Sequence, residues 1–157
     1  MSIKYRKFEP TEYVMKIKKG KIVQQGPGLF FFYHTLTTSM IVLPTTAFDS
    51  GFAFDGIMTA DFQGVSVQGD IAYTIKNYEK AARMVDFSYK GSRKEHQAAV
   101  AEAGQKMGKR ILNLAKVYVT KFISAKSVRA ALVSGDALAQ DLRESMRQDE
   151  TMQEFGL

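Results

Sequence analysis

The 157-residue chain has no cysteine and only two histidines. Disulfide frameworks, thiolate metal sites and cysteine nucleophiles are therefore excluded, and the composition is compatible with a reducing compartment. His34 and His96 lie far apart in sequence on different kinds of element, so they form no ligand set; each reads as a surface or structural residue. Neither stands in a nucleophile-elbow or metalloprotease motif. Gly26-Pro27-Gly28 lacks the Gly-Lys-Ser/Thr of a phosphate loop, and its proline removes a backbone donor, so it reads as a turn. No catalytic residue, cofactor, metal or small-molecule substrate is expected.

Long apolar runs are also missing. The most apolar stretch, residues 28–44, is broken by Tyr33-His34-Thr35 and Thr37-Thr38-Ser39, and falls short of the ~20 continuous apolar residues of a helical span. The basic start, Lys4 to Lys7, is followed by no apolar segment of the signal-peptide kind. There is no internal repeat and no low-complexity tract.

What is present is ordinary globular material, 45% apolar and 24% charged, with a formal net charge of +6. The charge is laid down in blocks. Residues 1–28 are basic, residues 29–75 contain four Asp and no Lys or Arg, residues 76–135 hold thirteen cations, and residues 136–157 are acidic. Such asymmetry supports attraction to an anionic partner, or between unlike segments of neighbouring copies.

The first half carries strand signals. Residues 12–18 alternate, with Tyr13, Met15 and Ile17 on one side and Val14, Lys16 and Lys18 on the other; Lys19-Gly20 turns the chain and residues 21–24 return. Short aromatic or β-branched runs follow at residues 29–33, 40–43 and 51–54. Residues 65–75 alternate most strictly, with Val65, Val67, Gly69, Ile71, Tyr73 and Ile75 facing one way, as in a half-buried antiparallel strand. The period then changes. Asn77 fits an N-cap before Tyr78, Ala81, Ala82 and Val85, and Gly91-Ser92 marks a loop. From about Glu95 a long amphipathic helix is expected, with Met107, Ile111, Leu114, Tyr118 and Phe122 as its apolar row, flanked by Ala115 and Val119. A short helical turn at residues 128–132 and a last helix from Asp136 through Leu138, Leu142 and Met146 complete the pattern, closed by Phe155-Gly156-Leu157. Strands first and helices afterwards mean an α+β fold. Gly104 and Gly108, spaced G-x-x-x-G on a charged helix, point to close helix–sheet packing.

In this order the elements resemble the SPFH (band 7) domain of stomatins, prohibitins and flotillins. The points of likeness are the basic hairpin, Gly26-Pro27-Gly28-Leu29 with its following phenylalanines, and the strand Val65-Ser66-Val67 through Tyr73-Thr74-Ile75. Asn77-Tyr78-Glu79-Lys80-Ala81, Ser127 to Gly135, and the closing Phe155-Gly156-Leu157 continue the series. The resemblance implies one domain over residues 1–157, mainly β to residue 75 and mainly α from residue 76, forming a twisted antiparallel sheet with helices along one side. It implies a non-catalytic, cytoplasmic, peripherally membrane-associated scaffold that homo-oligomerises and organises membrane proteins or proteases. Family members usually run on past this point into a further strand and a coiled coil, so a C-terminally truncated domain is expected.

Two surfaces stand out. In residues 29–33, Leu29, Phe31 and Tyr33 cannot share a strand face with Phe30 and Phe32. One set fills the core; the other must be covered by a helix, or by lipid or a partner. In the second case Phe30 and Phe32 rest on an anionic leaflet together with Lys16, Lys18, Lys19 and Lys21. The second surface is electrostatic: Lys106, Lys109 and Arg110 of one copy against Asp141, Glu144, Asp149 and Glu150 of the next, with two solvated faces as the plainer alternative. The rival function is that of a basic nucleic-acid-binding protein. It ranks lower because no reading motif is present and the aromatics lie apart from the densest cations.

Overall fold

Where apolar and polar residues alternate, strands form, and where the apolar period lengthens, helices do. The computed structural model describes residues 3–89 and 92–157. The strands are β1 (Ile3–Lys7), β2 (Glu12–Lys18), β3 (Lys21–Pro27), β4 (Phe30–His34), β5 (Thr38–Pro44), β6 (Phe48–Met58) and β7 (Gly64–Tyr73). The helices are α1 (Tyr78–Met84), α2 (Arg93–Ser124), α3 (Val128–Leu132), α4 (Gly135–Gln148) and α5 (Glu150–Glu154). The fold is α+β. The strands divide among three ladders, β1–β4, β3–β2–β5 and β6–β7.

Two compact units result, each using both halves of the chain: residues 1–48, 74–105 and 155–157, and residues 49–73 and 106–154. In the first, Phe8, Val14, Phe31, Tyr33, Met40 and Val42 form one buried cluster. Val14 and Met15 are both buried, so β2 is covered on each side at its centre and not on one face alone. The outer edge of β5 is stitched to the segment before α2 through the Val42 amide to the Phe87 carbonyl and the Tyr89 amide to the Met40 carbonyl. Asn77 caps α1 as expected, its side chain accepting from the Lys80 amide. The loop expected at Gly91 lies outside the described residues.

In the second unit, β6 and β7 form a ribbon. The side-chain contacts of Asp55 with Ser66, and of the Gly69 and Gly51 positions with Phe52 and Asp70, run in opposite chain order, so the strands are antiparallel. Burial alternates along β7, with Val65, Val67, Gly69 and Ile71 half-buried, Tyr73 buried and the residues between them exposed. A Cβ on Gly108 would lie 2.9 Å from Ser50 Oγ, and one on Gly104, in the first unit, 3.0 Å from the Phe48 ring. Both glycines are thus explained by the close approach of α2 to β6.

Two helical expectations need correction. The fully buried row of α2 is Ala103, Met107, Ile111, Ala115, Val119 and Ile123, while Leu114, Tyr118 and Phe122 are only half-buried. The row keeps strict i, i+4 spacing, and the small Ala115 sits at its centre instead of on its flank. The last helix is in fact two. Asp149 is extended (φ −70°, ψ 134°) between α4 and α5. Its carboxylate accepts from the Tyr118 hydroxyl and from the Thr151 amide, which caps α5.

Candidate functional site

The β1–β4 ladder pairs Tyr5 with Phe32 and Lys7 with Phe30. Directly opposed residues share a face, so Ile3, Tyr5, Phe30 and Phe32 lie together, and the Tyr5 and Phe32 rings are 5.0 Å apart. The two-face argument resolves sharply: Phe31 is 7% exposed, whereas Phe30 and Phe32 are 64% and 69% exposed. No described helix covers the outer set, so the expectation of helix cover gives way to an open apolar face.

The basic residues gather at one end of the same unit. Lys18 pairs with Thr38, and Ile3 with His34. The Lys19-Gly20 turn, the turn over residues 35–37 and the start of β1 therefore lie at a common end. Lys19 and Lys21 are exposed there, as are Leu36 at 77%, Ile3, Ile22 and Val23. Lys16 and Lys18 are both half-buried, and Lys16 is tied down as well: its ammonium lies 4.7 Å from the Phe31 ring centroid and it donates to the Phe32 carbonyl at 3.4 Å. Burial, and then the charge of Lys18, hold its pKa below the usual lysine value.

Sequence reasoning missed Ile3, Tyr5, Leu36, Ile22 and Val23. A signal existed for the first two: Ile3-Lys4-Tyr5-Arg6-Lys7 alternates apolar with basic, as one wet and one greasy strand face would. The other three had none, because exposure at a turn or an edge depends on what fails to pack there.

In the second unit Lys106, Lys109, Arg110, Asp141 and Glu144 are all exposed. Lys106, Lys109 and Arg110 stand on α2, and Asp141 and Glu144 on α4, where Glu144 accepts from Gln148 at 2.7 Å. The acids of α4 alternate with exposed Arg143 and Arg147, so that surface is mixed in sign rather than acidic. A shallow groove on the outer side of α2 is lined by Asn113, Lys116, Val117, Thr120 and Lys121.

His34 ends β4, half-buried, opposite Ile3. His96 is buried in the first turns of α2 with its ring 5.0 Å from that of Tyr89, and burial lowers its pKa, opposed by the charge of Glu12 and by backbone bonds to Ser88 and Val42. Tyr89 accepts from Arg6 at its hydroxyl, while Arg93 reaches Glu9 at 3.5 Å and Glu12 at 3.8 Å. These long-range ties join the start of α2 to the β1–β2 connection. Among the described residues no cluster of metal-ligating side chains occurs, and no helix is long and apolar enough to cross a membrane.

The first unit thus presents an open aromatic ladder face beside a basic hairpin end. The model of the SPFH domain / Band 7 family matches residues 6–157, and the chain belongs to that family. Members of the family are generally membrane-associated scaffolds, and generally not enzymes. A search of curated proteins finds no match.

Proposed function

We propose that this chain is a non-catalytic, peripherally associated scaffold domain that meets an anionic bilayer through the outer face of the β1–β4 ladder and self-associates on that surface. The observation that carries this reading is the exposure of Phe30 and Phe32 on the same face as Ile3 and Tyr5. Two exposed phenylalanines whose alternate neighbours are core residues are an arrangement that folding alone does not require.

The energies are sufficient for reversible attachment. Each phenylalanine transferred from water into an apolar layer gains roughly 1.5–3 kcal/mol. Lys18, Lys19 and Lys21 add about 1 kcal/mol each near an anionic leaflet. Lys16 contributes less, since its ammonium is already held at the Phe32 carbonyl. With those terms partly offset by lost rigid-body freedom, the result is a peripheral protein that concentrates on the bilayer and finds copies of itself there. The organisation of membrane proteins or proteases at the cytoplasmic face would follow from such a lattice.

Co-sedimentation with vesicles of mixed phosphatidylserine and phosphatidylcholine, and of phosphatidylcholine alone, tests the reading. Preferential pelleting with the anionic vesicles is expected, reduced by Phe30→Ser with Phe32→Ser and by Lys19→Glu with Lys21→Glu. Equal, negligible pelleting with both lipids refutes it. A low-salt gel shift with duplex and single-stranded nucleic acid should show no sequence-selective band; a tight, steeply salt-dependent complex would favour the rival reading.

A further inference from the structure

The β6–β7 ribbon has two unlike faces. The half-buried one carries Phe48, Ser50, Phe52 and Phe54 of β6, and α2 approaches it at Gly108. The other carries Asp49, Gly51, Ala53 and Asp55, with Ser66, Gln68, Asp70 and Ala72 of β7, and all of these are exposed. Its side chains are mostly small. It is of one sign because residues 29–75 include no Lys or Arg. The outer side of α2, opposite the buried row Met107, Ile111, Ala115 and Val119, has the contrary character: Lys109, Asn113, Lys116, Val117 and Thr120 are exposed and line or flank the shallow groove there.

We infer that the occupant of the outer ribbon face is the outer side of α2 from a second copy of this chain. Three observations select it. Charge is complementary, three aspartates meeting Lys109, Lys116 and Lys121. Length is matched: Asp49 and Asp55, six residues apart on a strand, lie about 20 Å apart at roughly 3.3 Å per residue. Lys109 to Lys121, twelve residues on a helix, covers about 18 Å at 1.5 Å per residue. Shape fits too, since a face of Gly51, Ala53 and Ala72 admits a helix closely. The α4 surface is the weaker candidate, because Arg143 and Arg147 interrupt its acids.

Each copy would offer one ribbon face and one helix face, so the contact is head-to-tail, and repetition gives a ring or an open row. Helix and ribbon alternate along it, each ribbon holding its own α2 on one face and its neighbour's on the other. This arrangement rests on the self-association proposed above and specifies its geometry.

The test uses two charge-reversed chains. Lys109→Glu with Lys116→Glu spoils the helix face; Asp49→Lys with Asp55→Lys spoils the ribbon face. Sedimentation equilibrium at low salt should show self-association of the unaltered chain and its loss in each variant alone. An equal mixture should recover association, with the two variants alternating, because each unaltered face meets its unaltered complement and each reversed face its reversed one. A chain bearing all four changes should associate again. In parallel, carbodiimide coupling of the unaltered chain on anionic vesicles, with half the copies isotopically labelled, should join Lys109 or Lys116 of one copy to Asp49, Asp55 or Asp70 of another. Coupling to Asp141 or Glu144 instead, with the ribbon variant associating normally, overturns this arrangement and leaves self-association standing. A monomer in solution with no intermolecular coupling on vesicles overturns both. Unfolding of a variant is detected by circular dichroism, and the coupling pattern of the unaltered chain then decides alone.

Discussion

Among the described residues, Gly156 should be the least replaceable glycine. Its φ is +73°, in the left-handed region, and a Cβ there would stand 2.2 Å from the carbonyl oxygen of Asn77. Its own carbonyl accepts from the amides of Lys76 at 2.6 Å and Asn77 at 2.8 Å. Replacement by alanine carries the left-handed penalty of about 1 kcal/mol and forces the backbone at Asn77 to give way, weakening two hydrogen bonds worth about 1 kcal/mol each. The loss is bounded by the cost of releasing the closing residues altogether, which adds exposure of the buried Phe155 side chain at roughly 2 kcal/mol. A destabilisation of about 3–4 kcal/mol is therefore expected, or a Tm lower by about 10 °C in a domain of this size. Two other glycines calibrate the reasoning. Gly20 has φ +75° with nothing near its Cβ position, so Gly20→Ala should lose only about 1 kcal/mol. Gly135, at the start of α4, has open space and no positive φ, so Gly135→Ala should be neutral or gain up to about 1 kcal/mol. Thermal and urea unfolding followed by circular dichroism give the order. If Gly156→Ala behaves like Gly20→Ala, the collision with Asn77 is not felt and the reasoning fails.

Three further outcomes are expected. Phe31→Ala should destabilise by about 3–5 kcal/mol, whereas Phe30→Ser with Phe32→Ser should stay within about 1 kcal/mol; similar losses in the two cases would show that the outer ring pair is part of the core. His96 is held below its ordinary pKa by burial, so the unfolded chain binds a proton near pH 6.5 that the native one refuses. Stability is full above that pH and declines as pH falls below it toward the folded value. The urea midpoint should drop between pH 7 and 5, and less so in His96→Gln; parallel curves would count against the assignment. Tyr118→Phe removes the donor that chiefly lowers the Asp149 pKa and should lose about 1 kcal/mol at neutral pH. That difference is present above pH 3.8 and fades as pH falls through the folded value, which unfolding midpoints at pH 7 and below pH 3 would show.

Legibility followed the range of the interactions. The strand expected over residues 65–75, the Asn77 cap and the short α3 are written in neighbouring residues, and the structure has all three, the strand ending two residues early at Tyr73. Phe30 and Phe32 were separable from Phe31 for the same reason, since alternation is local. The break at Asp149 was not readable, because the hydroxyl that holds it belongs to Tyr118, 31 residues earlier. Likewise nothing near Lys16 announces that Phe31 and the Phe32 carbonyl will hold it, and nothing near Arg93 announces Glu9, 84 residues away. The open face itself could be narrowed to two alternatives but not chosen, since choosing needed the inventory of what packs elsewhere.

The return of the chain end to Lys76 and Asn77 has a mechanical consequence. Tension applied at Leu157 reaches the first unit through the Gly156 carbonyl and its two amide donors, before any of the helices between Asn77 and Phe155 along the chain need stretch. Those two amides would thus act as the clasp of a loop of nearly eighty residues, and their hydrogen exchange would report whether it is shut.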